Sequence, residues 1–189
     1  MPLEQLQLFR KVVKLKDNTL VVLRPLRNDD GDRLAAMFAS IPEDDRRLLR
    51  HDVTDAKLVS SWARSPDLEK VFPLVAQIDD EIVADATLHM NPGTSLRHIA
   101  EVRVAIGGKA RGRGLGLSML EELVTIAGKL GLEQLRAEVP VGSAIAQRAF
   151  EKVGFHQEAV FRDFFKAADG QYHDVGVMFL VLRERWEEF

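Results

Sequence analysis

Eight short runs of the chain are rich in β-branched and apolar residues, and several alternate apolar with polar positions, as strands buried on one face do. The first two runs, 11–15 and 19–23, are separated by a short polar turn, and the next two, 71–78 and 81–90, by two aspartates. Such short polar separations predict hairpins. The remaining runs are 99–106, 134–141, 156–165 and 171–182, the last two joined across a turn at 168–170.

Three segments instead repeat apolar residues at the spacing of an amphipathic helix. The first begins near Asn28, a candidate N-cap, and is followed by a less regular, charged region from 43 to 64. The other two, 115–130 and 143–153, are each followed by a glycine, which is a common helix stop. The apolar face of the first segment consists of Leu34, Met37, Phe38 and Ile41.

The order of these elements decides the fold class. An antiparallel meander comes first, then a strand, a glycine-rich loop, a helix, a strand and a helix, and finally a hairpin. This order predicts an α+β fold with a mixed, mostly antiparallel sheet flanked by helices. We expect a single domain over residues 1–189, with an N-terminal strand extension at 1–18 and a core from about 20 to 182.

Composition and charge narrow the function classes. The 26 basic and 29 acidic residues give a net charge of −3, which offers no general attraction for nucleic acid or for an anionic membrane. The chain has no cysteine, so a disulfide, a thiolate metal site and a thiol nucleophile are excluded. The first 18 residues lack the apolar core of a signal peptide. We therefore expect a cytoplasmic protein with no nucleic-acid or membrane partner.

The stretch GGKARGRGLG, residues 107–116, lies where a strand ends and the helix at 115–130 begins. Glycine opposes helix formation, so its repetition at a helix start indicates that the backbone itself approaches a ligand. Free N–H groups and the positive end of the helix dipole suit a phosphate or pyrophosphate. Since the dipole contributes only about 0.3–1 kcal/mol, the N–H groups, Arg111 and Arg113 must supply most of the affinity.

Two common phosphate-binding loops fit these residues poorly. The nucleotide triphosphatase loop requires a glycine at the position of Arg103 and a serine or threonine at that of Ala110. A dinucleotide loop starting at Gly112 has Gly114 in place but Leu117 where its third glycine belongs. A nucleotide-binding protein is therefore the weakest of the functions that the loop allows.

The pattern R-x-x-G-x-G, formed by Arg111, Gly114 and Gly116, fits better, and in these residues the chain resembles the GNAT family of N-acetyltransferases. Downstream, SAIAQRAFEKVGF at 143–155 is similar to the second signature of that family. Upstream, LRPLRNDDGDRLAAMF at 23–38 is similar to its first strand and helix. The resemblance follows the order of the family along most of the chain.

The resemblance implies an N-acetyltransferase that moves an acetyl group from acetyl-CoA, as cosubstrate, to a primary amine. It implies that the glycine-rich loop holds the pyrophosphate and that two parallel strands splay apart, which exposes backbone groups to the pantetheine and the thioester. The cofactor-binding residues implied in this way are Val104, Ala105, Ile106, Arg111, Gly112, Arg113, Gly114, Leu115, Gly116, Ser143 and Phe150.

Acetyl transfer requires a neutral amine. An amine with a pKa near 10.4 is neutral about once in 2,500 molecules at pH 7, a handicap of roughly 4 to 5 kcal/mol, whereas an α-amine with a pKa near 7.8 loses only about 1 kcal/mol. A strand glutamate ahead of the loop often deprotonates the amine in the family, which makes Glu101 the candidate base. The alternative is a glutamate that faces solvent and pairs with Arg103, two residues along the same strand.

Two positions depart from the family's pattern. Ser143 stands where asparagine is common, and Phe150 replaces the tyrosine that protonates the leaving thiolate, although a phenyl ring donates no proton. A thiol with a pKa near 8.5 costs only about 2 kcal/mol to release as thiolate at pH 7. Ser143 or water could assist, so Ser143 is the second candidate catalytic residue. These departures leave a non-catalytic acyl-CoA-binding sensor as the alternative function.

The acceptor and the assembly stay open at this stage. A small-molecule amine, a protein lysine and an N-terminal amine all fit, and we favour a small molecule because no acceptor motif is visible. A homodimer is compatible with the sequence. We expect no metal, because the histidines lack ligand spacing. They are His51, His89, His98, His156 and His173.

Overall fold

The structure, a computed structural model, describes residues 3–64, 66–167 and 169–182. In these ranges the strands are β1 Lys11–Lys14, β2 Leu20–Pro25, β3 Val71–Ile78, β4 Glu81–Met90, β5 Ile99–Ile106, β6 Gln134–Pro140, β7 His156–Lys166 and β8 Tyr172–Val181. The helices are α1 Leu3–Gln7, α2 Gly31–Ala39, α3 Glu43–Arg46, α4 Ala56–Trp62, α5 Leu115–Lys129 and α6 Ala144–Lys152. The predicted hairpins and long helices are therefore confirmed.

The strands form one sheet in the order β1-β2-β3-β4-β5-β6-β8-β7. Every neighbouring pair is antiparallel except β5 with β6, which is parallel. A parallel pair needs a crossover connection, and α5 supplies it between these two strands. The mixed, mostly antiparallel sheet predicted from the sequence is confirmed. One residue of the predicted turn between β7 and β8, Ala168, lies outside the described residues.

Helix α5 covers one face of the sheet. Its buried residues pack with those of the central strands in the larger of two apolar clusters, and α6 joins that cluster through the buried Phe150 and the partly buried Ala146 and Ala149. The members of the cluster on α5 include Leu115, Met119, Leu120, Leu123, Ile126 and Ala127. This packing holds the first turn of α5, and with it the glycine-rich loop, against the end of β5.

Helices α2 and α4 cover part of the opposite face in a second apolar cluster. The apolar face predicted for the first helix is buried there, since Leu34, Met37, Phe38 and Ile41 are each at most 4% exposed. None of the helices in the ranges given above is long and apolar enough to cross a membrane.

The predicted N-cap of this helix, Asn28, is wrong. Helix α2 begins at Gly31, and Asp30 occupies the cap position without a capping hydrogen bond from its side chain. The Asp30 carboxylate instead accepts hydrogen bonds from Nη1 and Nη2 of Arg24 at 2.6 and 2.9 Å. Both side chains are buried, so a buried ion pair holds Asp30 at the position directly before the helix.

Candidate active site

Strands β5 and β6 diverge in the middle of the sheet. Their pairing comprises Ile99 with Gln134, Ala100 with Leu135 and Glu101 with Arg136, although β5 continues to residue 106 and β6 to residue 140. Beyond Glu101 the two strands share no register. The splayed strands that the resemblance implies are therefore present, and the opening starts at the candidate base.

The exposed edge of β5 offers backbone groups to this opening. The N–H of Gly107 donates to the carbonyl of Val83 on β4 at 2.9 Å. Because bonded pairs alternate along antiparallel strands, the N–H and C=O of Ala105 face β4, and those of Val104 and Ile106 face the opening. Val104 and Ile106 therefore present backbone groups to the opening, as expected from the sequence. Ala105, which was expected to do the same, does not, because its N–H and C=O face β4.

The glycine-rich loop leads from β5 into α5 through two left-handed residues. Gly112 has φ +72° and Gly114, at the N-cap of α5, has φ +88°. Residues other than glycine rarely adopt this backbone conformation. The first turn of a helix has no internal acceptors for its N–H groups, so those of Leu115 and Gly116 point out of α5 at its positive end.

The two arginines of the loop are engaged with carboxylates from other segments. Nε of Arg113 donates to Oδ2 of Asp17 at 2.6 Å, and the guanidinium of Arg111 pairs with Asp45. Nε of Arg111 also donates to the carbonyl of Ile106 at 3.3 Å, at the end of the exposed edge of β5. The carboxylates of Asp45 and Asp17 largely balance the positive charges of Arg111 and Arg113. The N–H groups at the start of α5 are therefore the donors of the loop whose positive charge is least compensated.

Glu101 is held by three arginines. Its Oε1 accepts a hydrogen bond from Nε of Arg103 at 2.8 Å and lies 3.2 Å from Nη2 of Arg50, and its Oε2 accepts one from Nη1 of Arg136 at 3.4 Å. Burial alone would raise the pKa of this carboxyl, but the hydrogen bond from Arg103 and the three positive charges outweigh it and lower the pKa below its ordinary value. The pairing with Arg103 considered from the sequence is present, and Glu101 is ionised at neutral pH.

Sequence reasoning missed the partners that complete this network. Arg50 lies in the loop after α3 and pairs with both Glu101 on β5 and Glu138 on β6. Arg136 also pairs with Glu138. Arg50 therefore bridges the two strands where they begin to diverge, a contact between residues so distant in sequence that no local pattern signals it.

Two more titratable residues of β4 occupy the same sheet face as Glu101. His89 lies opposite Glu101 in the strand register, and its Nε2 is 2.9 Å from Oγ1 of Thr87. Burial, aided by the charge of Arg103, lowers the pKa of His89 to about 4, so its imidazole is neutral at pH 7. Asp85 lies opposite Ala105, and burial raises the pKa of its carboxyl to about 7.

The two residues that depart from the family's pattern have different environments. Ser143 lies at the N-cap of α6, where its hydroxyl makes no capping hydrogen bond, and its side chain is half-buried. Phe150 is buried in the larger apolar cluster, with its ring edge-on to that of Phe155 at 5.0 Å between centroids. The Ser143 hydroxyl is free to serve a ligand, whereas Phe150 packs in the core.

A cavity of about 350 Å³ lies beside the arginine network. It is lined by residues 47–51 of the loop after α3, by Arg103 of β5 and by Phe165 and Lys166 of β7. Arg103 also contacts Glu101, so the cavity adjoins the candidate base. In the part of the chain that the structure describes, no group of three or more histidine or acidic side chains could hold a metal ion.

The family model for "Acetyltransferase (GNAT) family" matches residues 34–155, more than half of the chain. The matched range includes the diverging strands, the glycine-rich loop and the helix that ends in FEKVGF. A curated relative, the L-amino acid N-acetyltransferase AaaT of Escherichia coli (strain K12), is 23% identical over 116 residues, which are 61% of this chain and 71% of the relative.

Solved structures share the fold. The GNAT domain of PAT from S. lividans aligns with a TM-score of 0.74 and 23% identity, over 91% of this chain and 96% of that domain. The acetyltransferase YncA of Salmonella typhimurium, solved with its cofactor acetyl-CoA, aligns with a TM-score of 0.75 and 19% identity, over 88% of this chain and 96% of YncA. At these identities the likeness establishes the fold.

Proposed function

The chain belongs to the acetyltransferase (GNAT) family and is an N-acetyltransferase that uses acetyl-CoA, and we propose that its acceptor is a primary amine of a small molecule. The observation that carries the proposal is the cavity of about 350 Å³ beside Glu101. This volume lies at the lower end of the range of small-molecule sites. The E. coli relative, named for L-amino acids, supports the same choice.

The opening between β5 and β6 and the loop that follows it fit acetyl-CoA, which supplies the acetyl thioester. The N–H and C=O of Val104 and the N–H of Ile106 would hold the pantetheine as an added strand would, because their own strand partner has diverged, whereas the C=O of Ile106 already accepts from Nε of Arg111. The N–H groups at 112–116 would hold the pyrophosphate at the start of α5. Gly114 fits this task because its left-handed backbone turns the chain into α5 without a side chain of its own, although the Lys16 side chain lies 3.5 Å from the position that a Cβ would take.

We assign Glu101 as the residue that accepts the proton of the acceptor amine. Its carboxylate is ionised throughout the neutral range and lies at the start of the opening. Its lowered pKa makes it a weak base, so it acts on the neutral amine: as the amine nitrogen attacks and becomes positively charged and acidic, Glu101 accepts its proton, directly or through one water. Neutral His89 opposite it adds no further positive charge to a network that already contains three arginines.

The leaving thiolate requires little help, because a thiol of pKa near 8.5 is a tolerable leaving group at neutral pH. We assign the assisting hydroxyl to Ser143, which makes no capping hydrogen bond on α6. Phe150 has no proton to donate. We propose that its role is structural, because it packs in the apolar core that α6 shares with α5.

Release of coenzyme A thiol, measured with purified protein and a panel of amines, tests the proposal. The panel contains L-amino acids, polyamines, lysine peptides and peptides with free N-termini. We expect turnover with small amines at a kcat/KM at least tenfold above that with any peptide. If peptides are the better acceptors, the small-molecule proposal is wrong. If coenzyme A binds and no small amine of the panel is acetylated, the small-molecule proposal is likewise wrong.

The domain organisation, the location and the assembly of the protein are proposals of the same kind. We propose one domain over residues 1–189, a cytoplasmic location, and a homodimer as the assembly. Within the described residues β7 is one of the two outermost strands of the sheet, and the homodimer would pair through its outer edge. Light scattering coupled to size-exclusion chromatography measures the mass in solution, and a monomeric mass at working concentration would rule out the homodimer.

A further inference from the structure

We infer that the acceptor carries a carboxylate, which the cavity beside Glu101 binds through Lys166 and Arg47. This inference rests on the proposed function and names the chemical class of its substrate. The acceptor is therefore an amino-acid-like amine whose two charged ends are recognised separately, its carboxylate in the cavity and its amine at Glu101.

The charge of the cavity wall is the first observation. Its lining contains Arg47, Arg50, Arg103 and Lys166 together with His51, and it contains no acidic residue. The apolar part of the wall comes from Leu48, Leu49 and Phe165. Cations around a small apolar surface suit a ligand with an anionic group on a hydrocarbon frame.

The partners of these cations determine which of them are free for a ligand. Arg50 and Arg103 both pair with Glu101, and Arg50 also pairs with Glu138. Those two arginines are therefore occupied in holding the base. They shape the cavity and contribute less net charge to it.

Lys166 is different, because it forms no ion pair with any other residue in the described ranges. Its contact there is the ring of Tyr172, with Nζ 5.3 Å from the ring centroid. Lys166 lies near the end of β7, on the wall of the cavity. A lysine ammonium has three donors and no acceptor, so the cavity has a positive charge with no carboxylate of its own.

Arg47 provides a second unmet donor. Its Nη1 lies 2.5 Å from Asp169 and its Nη2 2.7 Å from Asp44, yet its Nε is buried and has no hydrogen-bond acceptor among the residues described. Leaving a buried donor unsatisfied costs about 1–3 kcal/mol, more for a charged group. A ligand carboxylate that accepts from Nε of Arg47 and from Lys166 would remove that cost and pair the charge of Lys166, whereas the charge of Arg47 already pairs with Asp44 and Asp169.

The position of the cavity gives the substrate its direction. Arg103 lines the cavity and also donates to Glu101, so one end of the cavity adjoins the base at the start of the strand opening. A carboxylate bound at Lys166 and Arg47 leaves the amine of the same molecule free to reach Glu101. Phe165 and the two leucines would contact the carbon atoms between the charged groups.

A matched set of acceptors tests this inference. The wild-type enzyme is assayed with L-amino acids and with their carboxamides, which keep the amine and the side chain and lose the negative charge. We expect kcat/KM to be at least tenfold higher for the free acid. Since the amine of a carboxamide has a lower pKa and is more often neutral at pH 7, intrinsic reactivity would favour the carboxamide.

Variants then locate the anion site. In Lys166→Gln we expect KM for the free acid to rise about tenfold, with kcat changed less than twofold and with kinetics for the carboxamide unaltered. Lys166→Arg should retain the preference. Arg47→Lys keeps the charge but removes Nε, and it should also raise KM for the free acid. Arg64→Gln, at an exposed arginine outside the cavity lining, is the control and should leave the preference intact.

The outcomes separate this inference from the proposed function. If small amines are acetylated and carboxamides serve as well as acids, the carboxylate site is wrong and the proposed function stands. The same holds if the preference exists but survives in both Lys166→Gln and Arg47→Lys. If no small amine is acetylated, the proposed function and the inference fail together.

Discussion

Oε1 of Glu101 accepts a hydrogen bond from Nε of Arg103 at 2.8 Å, and the two residues lie on the same face of β5. A carboxylate in this setting stays ionised to low pH but accepts a proton less readily than an isolated one. The contact therefore fixes the protonation state of the proposed base and limits its strength.

Replacement of the base should change the pH dependence of the enzyme. In Glu101→Gln we expect kcat/KM at pH 7 to fall by about 10² to 10⁴, and the loss to shrink at high pH, where the amine is neutral without help. The pH–rate profile measures this. Glu121→Gln, at an exposed position of α5, serves as control, and an unchanged profile in Glu101→Gln would remove Glu101 as the base.

The left-handed backbone of Gly114 should be necessary for cofactor binding. Gly114→Ala places a Cβ at φ +88°, a strain of about 1–2 kcal/mol, and shifts the N–H groups that face the pyrophosphate. We expect the Kd for coenzyme A, from isothermal titration calorimetry, to rise at least tenfold. Gly128→Ala, in the exposed last turn of the same helix with open space around it, should leave Kd unchanged. Equal Kd values for both variants would contradict the assignment.

Replacement of Ser143 distinguishes a hydroxyl that takes part in catalysis from one that caps helix α6. A serine that caps a helix typically contributes about 1 kcal/mol, but this side chain makes no capping hydrogen bond. In Ser143→Ala we therefore expect the free energy of unfolding to change by less than about 0.5 kcal/mol, and kcat to fall about tenfold. Ser143→Thr should restore part of kcat. Loss of stability with normal kcat would mean that Ser143 is structural.

Because of Asp85, the free energy of unfolding should fall as pH rises. Its carboxyl has a pKa near 7 in the folded chain and an ordinary one when unfolded, so both states are protonated at low pH and only the unfolded state ionises between about pH 4 and 7. In Asp85→Asn we expect the free energy of unfolding at pH 8 to rise by up to about 4 kcal/mol, and at pH 4 by well under 1 kcal/mol. Urea unfolding at the two pH values measures the difference, and an equal effect at both would contradict the assignment.

The local pattern of the sequence was enough to predict most elements. The turns between β1 and β2 and between β3 and β4 are set by residues adjacent in the chain, and α5 ends before Gly131, which adopts φ +78°. Such features depend on backbone preferences over a few residues, which a single sequence displays directly. The observed N-cap of α2 is Asp30 and not Asn28; the Asp30 carboxylate pairs with the buried Arg24, a contact that local preference does not show.

The α+β order of elements, the glycine-rich loop at the start of α5 and the position of Glu101 ahead of it were all predictable from the sequence. The side chains that surround that glutamate were not, because they depend on the tertiary structure. Arg50 reaches Glu101 from a distant segment and also pairs with Glu138, the pairing of β5 and β6 ends beside Glu101, and Lys166 is left without a carboxylate partner in the described ranges. Residue type and spacing fix local backbone geometry, whereas burial and charge pairing depend on which surfaces meet when the sheet closes.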